Sequence, residues 1–258
     1  MINIKYLKIL RSKRNLRHKN FIYDEIGKRI IDSLDLLKID FKDILEIGIN
    51  DNKIYNYLNN RFINARFTRN DISISNIYNT KNFELIEEDL DNYIFDKKKF
   101  DLIYSNFYSH LTNNYKDFLY KINNSLKSNS FFIATIPDVN NIYQLINSMF
   151  RTDNMLYGGV YQRINPAHNV DEILEFFKKL NFYSPSIHSD EIKIEYSKFS
   201  NLLLDIKSMN LSYCYTDKKN KFEKKNYFKA VEKDFKKNYF DKSYNLNIKF
   251  NIISGWKK

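Results

Sequence analysis

Asp43-Ile44-Leu45-Glu46-Ile47-Gly48-Ile49-Asn50-Asp51-Asn52 is the stretch whose reading decides the fold. A short apolar, β-favouring run ends in an acid and a glycine. Lys53-Ile54-Tyr55-Asn56-Tyr57-Leu58 then begins a helical pattern. Strand, tight turn and helix in this order form the first half of a nucleotide-binding βαβ unit. Such a turn presents backbone N–H groups and a helix N-terminus to a ligand.

Outward from this turn, strand and helix signals alternate. Residues 20–38 carry Ile22, Ile26, Ile30, Leu34 and Leu37 near helical spacing. Strands are expected at 44–47, 65–68, 83–86, 100–105 and 131–136, with a helical stripe from Tyr115 to Leu126 before the last. This alternation implies an α/β fold with a mostly parallel sheet and helices on both faces, of Rossmann-like type. Ligands on such sheets lie at the carboxyl ends of the strands. Beyond residue 137 the pattern is less regular. Helices are expected near 141–150, 171–180, 198–208 and 222–238, strands near 192–196 and 247–253, and a Lys/Asn-rich loop over 217–226. The organisation read from this is a helical segment 1–40, a core 41–137, and a portion 138–258 that completes the fold and caps the cleft.

The chain has 258 residues, of which 43% are apolar, with 21 Phe and 20 Tyr. That is enough for one large domain core. No apolar run is long enough to cross a bilayer. The N-terminus lacks a secretory apolar stretch, and it runs into an acid-bearing helical pattern that disfavours a transit peptide. The one cysteine, Cys214, excludes a disulfide framework, fits a reducing cytoplasm and reads as a buried small hydrophobe. The net charge of +11 gathers at the two ends. Richness in Lys, Asn, Ile, Tyr and Phe with only 5 Gly and 3 Pro matches an AT-rich coding bias, so the charge does not argue for nucleic acid. The basic segment Lys5–Lys19, with Arg11, Arg14 and Arg17, is a candidate docking face for an acidic partner.

Chemistry-bearing residues fall at successive strand ends. Glu46 and Gly48 end the first strand, Asp71 follows the second, Asp89 the third, and Ser105-Asn106 ends the fourth. Gly48 lets a ligand approach the backbone. An acid after strand two can accept from ribose hydroxyls, and one after strand three from an adenine amino group. His188-Ser189-Asp190 superficially offers half of an iron triad, but no histidine follows it, and it reads as a surface turn with no metal site.

This order resembles the class I S-adenosyl-L-methionine-dependent methyltransferases, and nearly the whole chain is similar to one branch of them. That branch comprises the mitochondrial complex I assembly factor that hydroxylates arginine, together with its alphaproteobacterial relatives. Arg11-Ser12-Lys13-Arg14-Asn15 with Phe21-Ile22-Tyr23-Asp24-Glu25-Ile26 looks like its opening helix. Ser105-Asn106-Phe107-Tyr108-Ser109-His110-Leu111-Thr112-Asn113-Asn114 is similar to its Ser-Asn-Leu-Ser-Leu-His-Trp-Val-Asn-Asp. Gly158-Gly159, Asn165-Pro166, Asp190-Glu191-Ile192, Tyr196, Asp205, Met209 and Gly255-Trp256 follow in order. Malonyl-acyl-carrier-protein methyltransferases are close relatives that typically carry Gln where this chain has His110.

The resemblance implies S-adenosyl-L-methionine as cofactor, contacted by Glu46, Gly48, Asn50, Asp71, Asp89 and Ser105. It implies a reacting centre bordered by Asn106, Tyr108 and His110. The partner would be a protein, either an iron–sulfur subunit of complex I or, in the alternative enzyme reading, an acyl carrier protein. The setting would be a bacterial cytoplasm, or the mitochondrial matrix if the chain is eukaryotic. His110 is a candidate for orienting substrate or for acid–base work, since a free imidazole titrates near neutrality. The family's first loop reads Gly-x-Gly-x-Gly, and Asn50 and Asn52 stand at its second and third glycine positions. Asn tolerates positive φ better than other non-glycine residues, so the turn is expected to survive in that way. A non-catalytic assembly chaperone with a degraded cofactor site is the reading from another class.

Overall fold

The computed structural model describes residues 1–13, 21–75, 77, 82–209, 211–218 and 223–258. Arg14, Asn15, Arg17 and His18 of the basic segment lie outside them. The core unit runs β1 (Asp43–Ile47), α3 (Lys53–Arg61), β2 (Arg66–Asp71), β3 (Phe83–Glu87), β4 (Phe100–Asn106), α4 (Tyr115–Ser125) and β5 (Leu126–Pro137). Before it come α1 (Ile4–Ser12) and α2 (Phe21–Asp35). After it come α5 (Tyr143–Tyr157), α6 (Val170–Lys179), β6 (Phe182–Tyr196), α7 (Phe199–Ser208), α8 (Tyr227–Tyr239), β7 (Phe240–Asp241) and β8 (Ser243–Lys257).

The strands form one sheet in the order β3-β2-β1-β4-β5-β8-β6, with β7 paired to β8. β3, β2, β1, β4 and β5 are parallel neighbours, and β8 enters antiparallel to both β5 and β6. Alternate side chains of each central strand serve two separate cores. Ile44, Leu102, Tyr104, Phe131 and Ile133 pack with α2, α3, α5, α7 and α8. Leu45, Ile103, Phe132 and Ala134 pack with α1, α4 and α6. Both faces are therefore covered, which is why these strands read as near-continuous apolar runs.

The strand order reverses between β1 and β4. The loops that leave their carboxyl ends, at Gly48 and at Phe107–His110, therefore sit side by side at the switch point.

Three expectations change. β6 and β8 are much longer than 192–196 and 247–253, and they pair along most of their length. His188 and Asp190 are consequently not in a turn: they lie on β6 opposite Ile252 and Phe250. Pro185 and the polar run before Ile192 hid this strand, because residues 184–185 fall in a register shift between Tyr183 and Ser186. α8 starts at Tyr227 rather than near residue 222.

Candidate functional site

The Gly48 turn is built from below by a polar network. Gly48 has φ +81, and its N–H donates to the Asn70 carbonyl at 2.8 Å. Neither Asn50 nor Asn52 adopts positive φ, and Asn52 has φ −109. The two asparagines keep the turn through their side chains instead. Asn50 Nδ2 donates to the Asn106 carbonyl, tying the β1 loop to the β4 end. Asn52 Oδ1 accepts from Arg69 Nη1 at 2.9 Å.

Arg69 also pairs with Glu46 and donates to the Asp51 carbonyl, with its guanidinium over the Tyr55 ring. Burial pushes the Glu46 carboxyl up to about 7 against the pull of Arg69. Glu46 therefore serves the underside of the loop. Arg69 was missed by sequence reasoning, although a lone arginine inside a strand buried on both faces is itself an anomaly that signals a built network.

The upper side of the turn is filled by Arg11 and Tyr108. α1 is pinned by Asn3, whose side chain accepts from Tyr6 N, whose N–H donates to the Cys214 carbonyl at 2.7 Å, and by an Ile2–Tyr215 bridge. Arg11, in the last turn of α1, is only 1% exposed. Its Nε and Nη2 pair with Asp71, Nη1 donates to Asn50 Oδ1 at 2.7 Å, and Nη2 reaches the Ile49 carbonyl at 3.4 Å. Burial alone would lower the Arg11 guanidinium, but Asp71 more than offsets this and holds it above its ordinary value. Arg11 is thus an internal group and not part of an exposed docking face.

The Tyr108 ring lies under that guanidinium at 4.5 Å and directly over Gly48. A Cβ on Gly48 would stand 2.1 Å from Tyr108 Cγ, so only glycine fits. Tyr108 stands where the resembling branch carries a serine.

Asp71, Asp89, Ser105 and Asn106 are also satisfied. Asp71 Oδ2 accepts from Ile49 N at 2.8 Å, and Oδ1 from Ser73 N at 3.1 Å. Asp89 accepts from Asp91 N, Asn92 N and Asn92 Nδ2. Ser105 Oγ donates to the Ile47 carbonyl, and Asn106 bridges the Tyr23 carbonyl and Thr135.

Gly48, Asn50, Asp71, Asn106 and Tyr108 are thereby joined in one contact set, with Ser105 bonded to the end of β1 beside it. His110 stands apart, on a cavity wall with Asn141 and Asn165. It is 4% exposed, and neither ring nitrogen has a partner among the described residues. Burial, followed by His168 and Arg11, lowers it to about 3, so the ring is neutral at physiological pH. Such a group is a weak base and is suited to orienting a substrate. Cys214 is buried, donates to Asn165 Oδ1 at 3.3 Å, and is pushed up to about 11 by burial.

Residues 45–134 match the family model described as methyltransferase domain. Among solved structures, a S-adenosylmethionine-dependent methyltransferase from Archaeoglobus fulgidus superposes with a TM-score of 0.52 at 16% identity, covering 94% of this chain and 96% of that one. A Haemonchus contortus phosphoethanolamine N-methyltransferase 2 solved with S-adenosylhomocysteine also gives 0.52 at 16% identity, covering 92% and 56%. The chain thus has the fold of these methyltransferases, and its residues 45–134 match a methyltransferase domain.

It is also similar to mitochondrial arginine-hydroxylase NDUFAF5. It is 25% identical to the human protein over 204 residues, 78% of this chain and 59% of that one. With the zebrafish protein it shares 22% over 244 residues, 92% and 75%. The match spans about 59% of the length of the human relative.

Two outcomes follow from the site. Gly48→Ala should lower unfolding stability by about 2–5 kcal/mol in urea titrations, from backbone strain plus overpacking. Adding Tyr108→Ala should return the overpacking part. For His110, a folded-state value below the ordinary 6.5 means that the unfolded chain takes up the proton first. Its stabilising share is therefore complete above 6.5 and is lost as pH falls toward 3. Wild type should lose about 1.4 kcal/mol per pH unit relative to His110→Gln across that window, measured by chemical denaturation at stepped pH.

Proposed function

We propose that the chain binds S-adenosyl-L-methionine at the Gly48 loop and modifies a side chain of a protein partner, an arginine in the assembly of respiratory complex I. The observation that carries this reading is the set of strand-end groups. A positive-φ glycine follows β1, a carboxylate ends β2 and a carboxylate follows β3, all within the residues that match a methyltransferase domain. The likeness to the arginine-hydroxylase relatives supports the choice of partner.

The residue types suit the cofactor. Asp71 can accept from ribose hydroxyls, Asp89 from the adenine amino group, and the loop backbone can lie against the methionine moiety. When bound, the cofactor supplies an activated sulfonium. The chain supplies alignment and exclusion of water. Entry requires Arg11 to leave Asp71 and Tyr108 to lift from Gly48, so the ligand competes with the protein's own cation for one carboxylate. Released from Asp71, the guanidinium keeps its neighbours Asn50 and Tyr108. Neutral His110 then helps to hold the partner that carries the acceptor.

The same two side chains favour a second reading, a non-catalytic assembly chaperone whose site is permanently filled by Arg11 and Tyr108. Isothermal titration with S-adenosyl-L-methionine separates the two. The first reading expects measurable heat for wild type and affinity about tenfold tighter for Tyr108→Ser, which clears the loop. No heat from either protein supports the chaperone. Mass spectrometry of a co-expressed complex I subunit should then show an arginine heavier by one methylene or one oxygen; an unmodified subunit contradicts the enzyme reading.

A further inference from the structure

Beyond the Gly48 loop, a cavity of about 200 Å³ opens between the end of β5, α5 and the segment that carries Asn165. That is several times the ~30 Å³ share of one water, and small for a whole cofactor. Much of its wall is apolar, including Ile146, Met149, Phe150 and Leu211. Three polar wall residues carry nitrogens that have no partner among the described residues: Asn141 Nδ2, Asn165 Nδ2 and both ring nitrogens of His110.

The amide orientations are fixed by their neighbours. Asn141 Oδ1 accepts from Lys249 N at 3.1 Å, and Asn165 Oδ1 accepts from Cys214 N at 3.0 Å. Backbone N–H groups only donate, so the oxygens face them and the amino groups are the unpaired ends. A buried donor without a partner is costly, and three such residues on one wall call for a common partner.

The charged groups of the wall are already engaged. Arg163 pairs with Asp153 and Glu223. A carboxylate ligand would find no free cation here, and the one carboxylate of the wall outside an ion pair, Asp138, has both oxygens turned to Asn140 N and Asn251 Nδ2.

What remains is two amide donors and one neutral imidazole, which offers one donor and one acceptor. We propose that this cavity binds a secondary amide, the peptide group of a protein partner, with Asn141 and Asn165 donating to its carbonyl oxygen and His110 accepting from its N–H. The cavity would hold the partner's main chain and not the side chain to be modified. The assignment rests on the proposed function only in making the partner a protein; the binding itself needs no cofactor.

The test is a chemical-shift titration of the full chain, without S-adenosyl-L-methionine, with four probes of like length: N-methylbutyramide, S-methyl thiobutyrate, butyrate and butylguanidinium. Wild type should bind the amide most tightly, with shifts at Asn141, Asn165 and His110. Asn141→Asp and Asn165→Asp keep the oxygen that holds Lys249 N or Cys214 N but replace the donor by an acceptor. Each should weaken the amide about tenfold or more and improve butylguanidinium. The ranking in wild type tests the proposal even where an aspartate variant misfolds. Tightest binding of any other probe, ordered water alone with no probe shifts, or unchanged amide affinity in both variants overturns it. Amide binding without S-adenosyl-L-methionine binding sinks the proposed enzyme and leaves this site standing.

Discussion

The arrangement of the site depends on the buried ion pair between Arg11 and Asp71. Two charges removed from water are tolerated only where geometry and further hydrogen bonds compensate. Here the guanidinium spends its donors on Asp71, Asn50 Oδ1 and the Ile49 carbonyl, and the carboxylate also takes Ile49 N and Ser73 N. One pair therefore fixes α1 against the β1 loop and orders that loop against the end of β2. Loss of either partner would leave a charge buried alone, which is why the segment before the core is part of the site.

A second buried pair, Arg69 with Glu46, does the same work from beneath. Together the two arginines replace what two glycines provide in related loops. Beyond Gly48, the turn is held by side-chain hydrogen bonds to Asn50 and Asn52 and not by backbone freedom. On the proposed reading, the loop's shape is set by groups that a ligand would displace on one side only. The upper pair is in the way; the lower pair is support.

Much of the fold was legible because both faces of the sheet are covered, so β1, β4 and β5 stand out as apolar runs and α2 and α4 as stripes. The strand-end residues followed from that alternation. Neither arginine's role was legible, because Arg11 lies 60 positions from Asp71 and Arg69 23 from Glu46, and charge in sequence does not reveal burial. Arg11 looked like part of a solvated basic face. The long β6 was hidden by Pro185 and by a polar outer edge. His110 was visible as a candidate, but its neutrality depends on enclosure by residues far along the chain; Asn165 was visible only as part of the Asn165-Pro166 pair, and Asn141 had no local signal beyond being an asparagine.

The account thus separates two neighbouring regions of one fold: an acid-lined loop closed by an internal cation, and a neutral cavity with unspent donors, with His110 on the wall between β4 and the later segments. The most direct measurement is a crystal structure of the chain grown with S-adenosylhomocysteine. The account predicts the adenosyl ribose on the Asp71 carboxylate, with the Arg11 guanidinium displaced from it and the Tyr108 ring lifted from Gly48. Crystals in which Arg11 still holds Asp71, with no ligand at the loop, would contradict it.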